Sequence, residues 1–365
     1  MVITFPHMGN IYLAAKVFFE ELKIPCVIPK LNSKAALAAG AYVSPEEICL
    51  PFKLMMGNFL DCIKRGADTI IITGSCGPCR FGEYCELQMK LLDKNGYNAD
   101  IIVIDSPSEI GKQEFWKRIA RVTAPSPAGK AKKLDCLRQT LGILKQIDGI
   151  DGLAYALSGY EAEKGSCSRL LAECKSKAFL CESFKEMRAV LREYKRRIKS
   201  VDICEAKTPL KIAIIGEIYT IIEPFSNMYI EDKLAELGVC TKRLLSPSWW
   251  VSDLALKPVG LNSPLIRAAS KKYLPCDIGG HAKESIAHAA RSRLAGYDGA
   301  IQVFPLGCMP EIVTKSVLPA LQRRLKFPVM TLIVDEITGE AGYMTRIEAF
   351  VDMLESRKKV GGRYA

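Results

Sequence analysis

Four cysteines lie in turns marked by proline and glycine, outside the periodic apolar stretches of the chain, and thiolates in such settings are metal ligands or redox groups. Cys49 stands in Glu46-Glu47-Ile48-Cys49-Leu50-Pro51-Phe52-Lys53, and Cys76 and Cys79 in Cys76-Gly77-Pro78-Cys79-Arg80-Phe81-Gly82. Cys308 stands in Pro305-Leu306-Gly307-Cys308-Met309-Pro310. Pro51 and Pro310 each suit the first turn of a helix. That predicts Cys49 and Cys308 at helix amino termini, where the dipole and exposed N–H groups favour the thiolate. The Cys-x-x-Cys spacing of Cys76 and Cys79 is shared by zinc, iron–sulfur and dithiol sites. A zinc module usually adds a second close pair, whereas an iron–sulfur cluster can take single cysteines from distant loops. The set therefore favours an iron–sulfur centre over zinc, a redox dithiol or buried structural cysteines.

Two of these turns end similar runs. Ala67-Asp68-Thr69-Ile70-Ile71-Ile72-Thr73 precedes Gly74, and Tyr297-Asp298-Gly299-Ala300-Ile301-Gln302-Val303-Phe304 precedes Pro305. Each reads as a buried parallel strand delivering cysteine to its carboxyl end, where open α/β sheets bind ligands. Strands are expected over 2–5, 26–29, 69–73 and 101–104, with helices over 11–22, 52–64 and 83–94. A second alternation follows, with strands over 212–215, 239–244, 300–304 and 329–334 and helices over 228–237, 281–294, 312–325 and 345–354. Between them the spacing of apolar residues is helical. The expected fold is therefore α/β, two Rossmann-like, doubly wound parallel lobes joined by a helical insert, with the metal site in the cleft between them. The expected boundaries are 1–125 for the first lobe, 126–207 for the insert and 208–365 for the second lobe. The halves also echo each other in Phe19-Glu20-Glu21-Leu22-Lys23-Ile24 and Leu234-Ala235-Glu236-Leu237-Gly238-Val239.

The chain has 365 residues, 14 cysteines and a formal net charge of +11. A chain this long builds ordinary cores without disulfide staples, so reduced thiols are expected. Cys26, Cys62, Cys136, Cys174, Cys181, Cys204 and Cys240 sit singly in strand-like or helical patterns and read as small buried hydrophobes. No apolar run is long enough to span a membrane, and Met1-Val2-Ile3-Thr4-Phe5-Pro6 does not resemble an export signal, so a cytoplasmic protein is expected. Basic runs at Lys130, Lys132 and Lys133, and at Arg188, Arg192, Lys195, Arg196, Arg197 and Lys199, read first as solvated helix faces. No nucleic-acid-binding motif accompanies them, and no nucleic-acid partner is expected.

Pro6-His7-Met8-Gly9-Asn10, Cys49-Leu50-Pro51-Phe52-Lys53, Gly77-Pro78-Cys79-Arg80-Phe81-Gly82, Cys308-Met309-Pro310-Glu311 and Asp335-Glu336-Ile337-Thr338-Gly339-Glu340-Ala341-Gly342 together resemble the activase-related proteins of the 2-hydroxyacyl-CoA dehydratase and benzoyl-CoA reductase superfamily. The resemblance runs over nearly the whole chain. It implies an oxygen-sensitive 4Fe-4S protein of anaerobic metabolism. Cys49, Cys79 and Cys308 carry over as ligands, with Cys76 as the fourth and Cys85 as a neighbour. An eight-iron double-cubane cluster would draw on further cysteines such as Cys85 or Cys276.

The implied partner is an ATP-hydrolysing iron–sulfur activator, and the implied substrate class is a CoA thioester. A homo- or hetero-oligomer is expected. The function implied is an electron-transfer or reductase component of an ATP-dependent low-potential system. The alternatives are a cluster-binding scaffold or assembly partner, and a 2-hydroxyacyl-CoA dehydratase subunit. The ATPase half of the longer relatives has no counterpart, since neither G-x-x-x-x-G-K-[ST] nor G-x-G-x-x-G occurs. Lys53 and Arg80 adjoin ligand candidates, as groups that could offset cluster charge or as ordinary surface residues. His281 occupies roughly the place in the second half that Cys49 holds in the first, as a helix cap or a site residue. Asp335 and Glu336 read as an acidic helix cap.

Overall fold

The structure is a computed structural model, described over residues 1–74, 79–105, 107–256 and 263–362. The candidate ligand Cys76 lies outside the described residues. The chain divides into two compact units. Unit 1 comprises Met1–Asp148, Ser176–Leu191 and Pro247–Asn262, and unit 2 comprises Gly149–Lys175, Arg192–Ser246 and Ser263–Ala365.

In unit 1, strands β1 (Ile3–Thr4), β2 (Thr69–Thr73) and β3 (Asp100–Ile104) form a parallel sheet in that order. Helices α1 (Ile11–Glu21), α2 (Lys34–Val43) and α3 (Leu50–Lys64) connect β1 to β2. A 3₁₀ turn over Arg80–Glu83 and helix α4 (Tyr84–Lys94) connect β2 to β3, which is followed by α5 (Pro107–Ile110) and α6 (Lys112–Val122). The strand expected over 26–29 shrinks to a single parallel bridge from Cys26 to Ile3. Pro25 and Pro29 flank it, and neither has an N–H with which to extend the ladder.

Three helices follow, α7 (Lys130–Leu157), α8 (Ser166–Leu180) and α9 (Phe184–Lys199), in the stretch whose apolar spacing is helical. The division of the chain apportions them between the two units. Among the described residues, no helix is long and apolar enough to cross a membrane.

Unit 2 holds β4 (Lys211–Gly216), α10 (Ile218–Ile222), α11 (Ile230–Glu236) and β5 (Cys240–Arg243). Helix α12 (Pro247–Leu256) belongs to unit 1. Unit 2 resumes with α13 (Pro264–Ser270), α14 (Ala282–Leu294), β6 (Gly299–Pro305), α15 (Met309–Leu325), β7 (Val329–Val334) and α16 (Glu340–Gly362). Its strands are all parallel, in the order β5-β4-β6-β7. The chain runs from β4 to β5 on one side and then crosses to β6 on the other, which makes the β4/β6 boundary a topological switch point. Ala213 and Ile215 of β4 pack with Ile286 and Ala289 of α14 and Leu318 and Leu321 of α15. Each large side chain buried in this way contributes ~1.5–3 kcal/mol.

The two sheets repeat one pairing scheme. Ile3 pairs with Thr69 on one side and Cys26 on the other, and Ile212 pairs with Gly299 and Thr241. The chain also leaves α1 and α11 alike. Ile24 N–H donates to Phe19 O at 2.9 Å and Val239 N–H to Leu234 O at 3.0 Å. The turning residues, Lys23 and Gly238, are left-handed at φ 54° and 73°.

Candidate metal centre

A helix between two parallel strands must run back against them, so its amino terminus lies at the carboxyl edge of the sheet. Helix α3 does this in unit 1. Cys49 is its N-cap, 8% exposed, with proline in the first turn. Phe52, Leu54, Met55, Met56 and Phe59 are fully buried, so the helix that positions Cys49 is itself a core element. Helix α2 packs against it at glycines: a Cβ on Gly57 would sit 2.0 Å from Ala36 O, and one on Gly40 would sit 1.8 Å from Lys53 O.

Lys53 is buried, and its Nζ donates to Glu46 O at 2.8 Å. This holds the loop that enters the helix, and the surface alternative for Lys53 is set aside by its burial. Cys79 is the N-cap of the 3₁₀ turn. The next residue, Arg80, is exposed and its Nη1 donates to Glu47 O at 3.3 Å. Tyr84 meets Phe52 edge-on at 5.0 Å and Phe81 at 4.9 Å. The turn bearing Cys79 is therefore pinned to the loop and helix bearing Cys49 by one polar and one aromatic contact. The His7 N–H donates to Asn58 Oδ1 at 2.9 Å, which fastens the segment after β1 to α3.

Unit 2 presents the corresponding edge. Cys308, 6% exposed, is the N-cap of α15, with proline in the first turn. His281 is the N-cap of α14, the helix that leads into β6 as α3 leads into β2. The His281 side chain makes no capping hydrogen bond. Burial lowers its pKa to about 4, so at neutral pH it is the uncharged imidazole that ligates metals. Gly280 is left-handed at φ +57°, and a Cβ there would lie 2.6 Å from Pro310 Cγ. The loops that present His281 and Cys308 thus touch, as do the loops of Cys49 and Cys79 in unit 1.

Glu311, three residues past Cys308, is buried. Its carboxyl accepts from Ser285 Oγ at 2.8 Å and from Gln302 Nε2 at 2.7 Å. Burial, with Glu217 and Glu284 nearby, outweighs these bonds and raises its pKa to about 8. Glu217, at the end of β4, accepts from the N–H groups of Tyr219 and Thr220 at 2.9 and 2.8 Å, and burial raises its pKa too. Glu311 closes the Cys308-Met309-Pro310-Glu311 motif, yet the sequence alone assigns it no role. The signal that could have found it is its place in the first turn of a helix opened by Cys308 and Pro310. Asp335 accepts from Ile337 N–H at 3.0 Å and from Thr338 Oγ1 at 2.7 Å, closing a local turn ahead of α16.

Other cysteines differ in setting. Burial is the main cause that raises the pKa of Cys26, Cys62, Cys136, Cys181 and Cys240, which favours the protonated thiol. Cys85 is raised in the same way, and its Sγ approaches Gly82 O at 3.9 Å. Cys276 is exposed. Cys49, Cys79 and Cys308, by contrast, stand at helix or 3₁₀ amino termini. The donor chemistry fits a thiolate-ligated metal. Among the described residues, no group of three or more His, Cys, Asp or Glu side chains is gathered as a metal site. Cys49 and Cys79 belong to unit 1, and His281 and Cys308 to unit 2. The sequence matches no protein-family model and no curated protein.

Proposed function

We propose that Cys49, Cys76, Cys79 and Cys308 ligate a 4Fe-4S cluster, and that the chain is an electron-transfer or reductase component of an ATP-dependent low-potential reduction system related to 2-hydroxyacyl-CoA dehydratases. The observation that carries this reading is the shared setting of Cys49 and Cys308. Each is a nearly buried thiol that N-caps a proline-started helix at the carboxyl edge of a parallel sheet. A bound cluster would supply one-electron chemistry at a potential set by burial and by hydrogen bonds to sulfur. The chain's part is to hold the thiolates. The amino termini of α3 and α15 stabilise their charge, Lys53 and Arg80 fix the loops around Cys49, and the buried body of α3 keeps water from that side. Electrons would come from a separate ATP-hydrolysing iron–sulfur activator, because the sequence has no phosphate-cradling loop of its own.

Anaerobic purification followed by iron, sulfide and zinc analysis with EPR tests the reading. The expected result is about four irons and four sulfides per chain, the content of one cubane. Stoichiometric zinc without labile sulfide would overturn it.

A further inference from the structure

At the amino edge of the unit 2 sheet, away from the strand ends that carry Cys308, lies an open hollow of about 260 Å³. Its apolar floor is Phe327, Pro328 and Leu354, and the half-buried Tyr297 stands beside it. Four cations line it, Arg293, Lys326, Arg357 and Lys358, against one carboxylate, Asp298. Lys358 and Asp298 offset each other: they pair at 3.8 Å, Lys358 also donates to Thr208 O and Pro209 O, and Asp298 also accepts from Lys211 N–H at 2.8 Å.

Three cations remain. The carboxyl ends of α14 and α15 reach this edge, and each helix end contributes roughly −0.5 charge. Three positive charges less about one leaves about two in excess. The helix ends therefore account for only part of the basic lining. Arg293 Nε donates to Leu325 O at 3.2 Å and Arg357 Nη2 to Lys326 O at 3.4 Å. These bonds pin both guanidinium groups and engage one donor of the five that each carries. A fork already held in place loses little freedom on meeting an anion.

We propose that this hollow binds the phosphate end of a small phosphomonoester. Such a group carries about −1.5 to −2 charge at neutral pH, which matches the excess, and its oxygens suit guanidinium forks. The volume lies below the ~300 Å³ at which pockets for drug-sized ligands begin, so it takes a small molecule or one end of a larger one. The apolar floor receives the part of the ligand next to the phosphate. The hollow shares no residue with the cysteine-bearing loops, so the proposal stands apart from the iron–sulfur reading.

Calorimetric titration of the full chain at low salt with AMP, inorganic phosphate and adenosine tests it. Binding of AMP and phosphate is expected, with none for adenosine. The double variant Lys326→Gly/Arg357→Gln should weaken AMP binding about tenfold or more without lowering the melting temperature. Lys326 sits at φ 49°, a left-handed position that glycine occupies without strain, and Arg357 is exposed. Absence of AMP binding to the parent chain at about 5 mM, equal affinity for adenosine, or unchanged affinity in the double variant would each overturn the proposal.

Discussion

At Cys49, Cys79 and Cys308 the relevant property is setting. Each caps a helix or 3₁₀ turn, whereas Cys62 and Cys136 are fully buried. Cys49→Ser, Cys79→Ser and Cys308→Ser are each expected to lose most of the iron, and Cys62→Ser and Cys136→Ser to keep it. Iron per chain, with circular dichroism as the folding control, checks this. Full iron in Cys308→Ser would remove unit 2 from the ligand set.

Glu311 makes a separate prediction. Its pKa rises from 4.5 to about 8 on folding. Between those values the folded chain holds a proton that the unfolded chain has released, so stability falls as pH rises through the window and levels off above it. Every tenfold gain in proton affinity on folding is worth ~1.4 kcal/mol. Glu311→Gln should flatten this part of the profile, measured as urea midpoints from about pH 5 to about pH 9. A variant with the parent's slope would show that Glu311 is not the group responsible.

Among the elements, the close crossing of α2 and α3 decides how firmly Cys49 is held. Adding a methyl at Gly57 improves helix propensity by ~1 kcal/mol but forces backbone apart at a cost of ~3 kcal/mol. Gly57→Ala should therefore destabilise the chain by about 2 kcal/mol in urea unfolding, and an unchanged midpoint would mean that the helices separate freely. The crossing also shows where the sequence was hard to read. Helix α2, Lys-Ala-Ala-Leu-Ala-Ala-Gly-Ala-Tyr-Val, has almost no large apolar residues to set a period, because its packing relies on small ones.

The strands over 69–73 and 329–334 were legible at full length because their β-branched runs end at Gly and Asp. The helix expected over 228–237 starts later, at Ile230, because Met228 and Tyr229 are both left-handed, at φ 56° and 58°. Nothing in their residue types announces that. At the site, the helix-capping positions of Cys49 and Cys308 followed from proline placement. The burial of Lys53, the contact of Gly280 with Pro310 and the carboxyl held by Ser285 and Gln302 depend on tertiary approach, which spacing along a chain does not encode.

For the whole chain, the absence of a phosphate-cradling motif sets an expectation for activity. The purified protein should hydrolyse no ATP, while the proposed cluster should be reduced at low potential by an ATP-dependent iron–sulfur partner. A phosphate-release assay and a redox titration with the cognate activator measure the two halves. A cluster that stays oxidised with activator, ATP and strong reductant would favour a scaffold, and loss of water from a 2-hydroxyacyl-CoA would favour a dehydratase.

Ile3 and Ile212 share one pairing scheme, and the chain leaves α1 and α11 by matched turns. The fold therefore holds two editions of one helix-capping position, one in each unit. One edition now reads cysteine, at Cys49, and the other histidine, at His281. A soft thiolate and a neutral imidazole differ in charge and in the metals that each suits. The same scaffold thus offers a thiol in one unit and a neutral imidazole in the other, and His281→Cys would bring the two editions back to a single text.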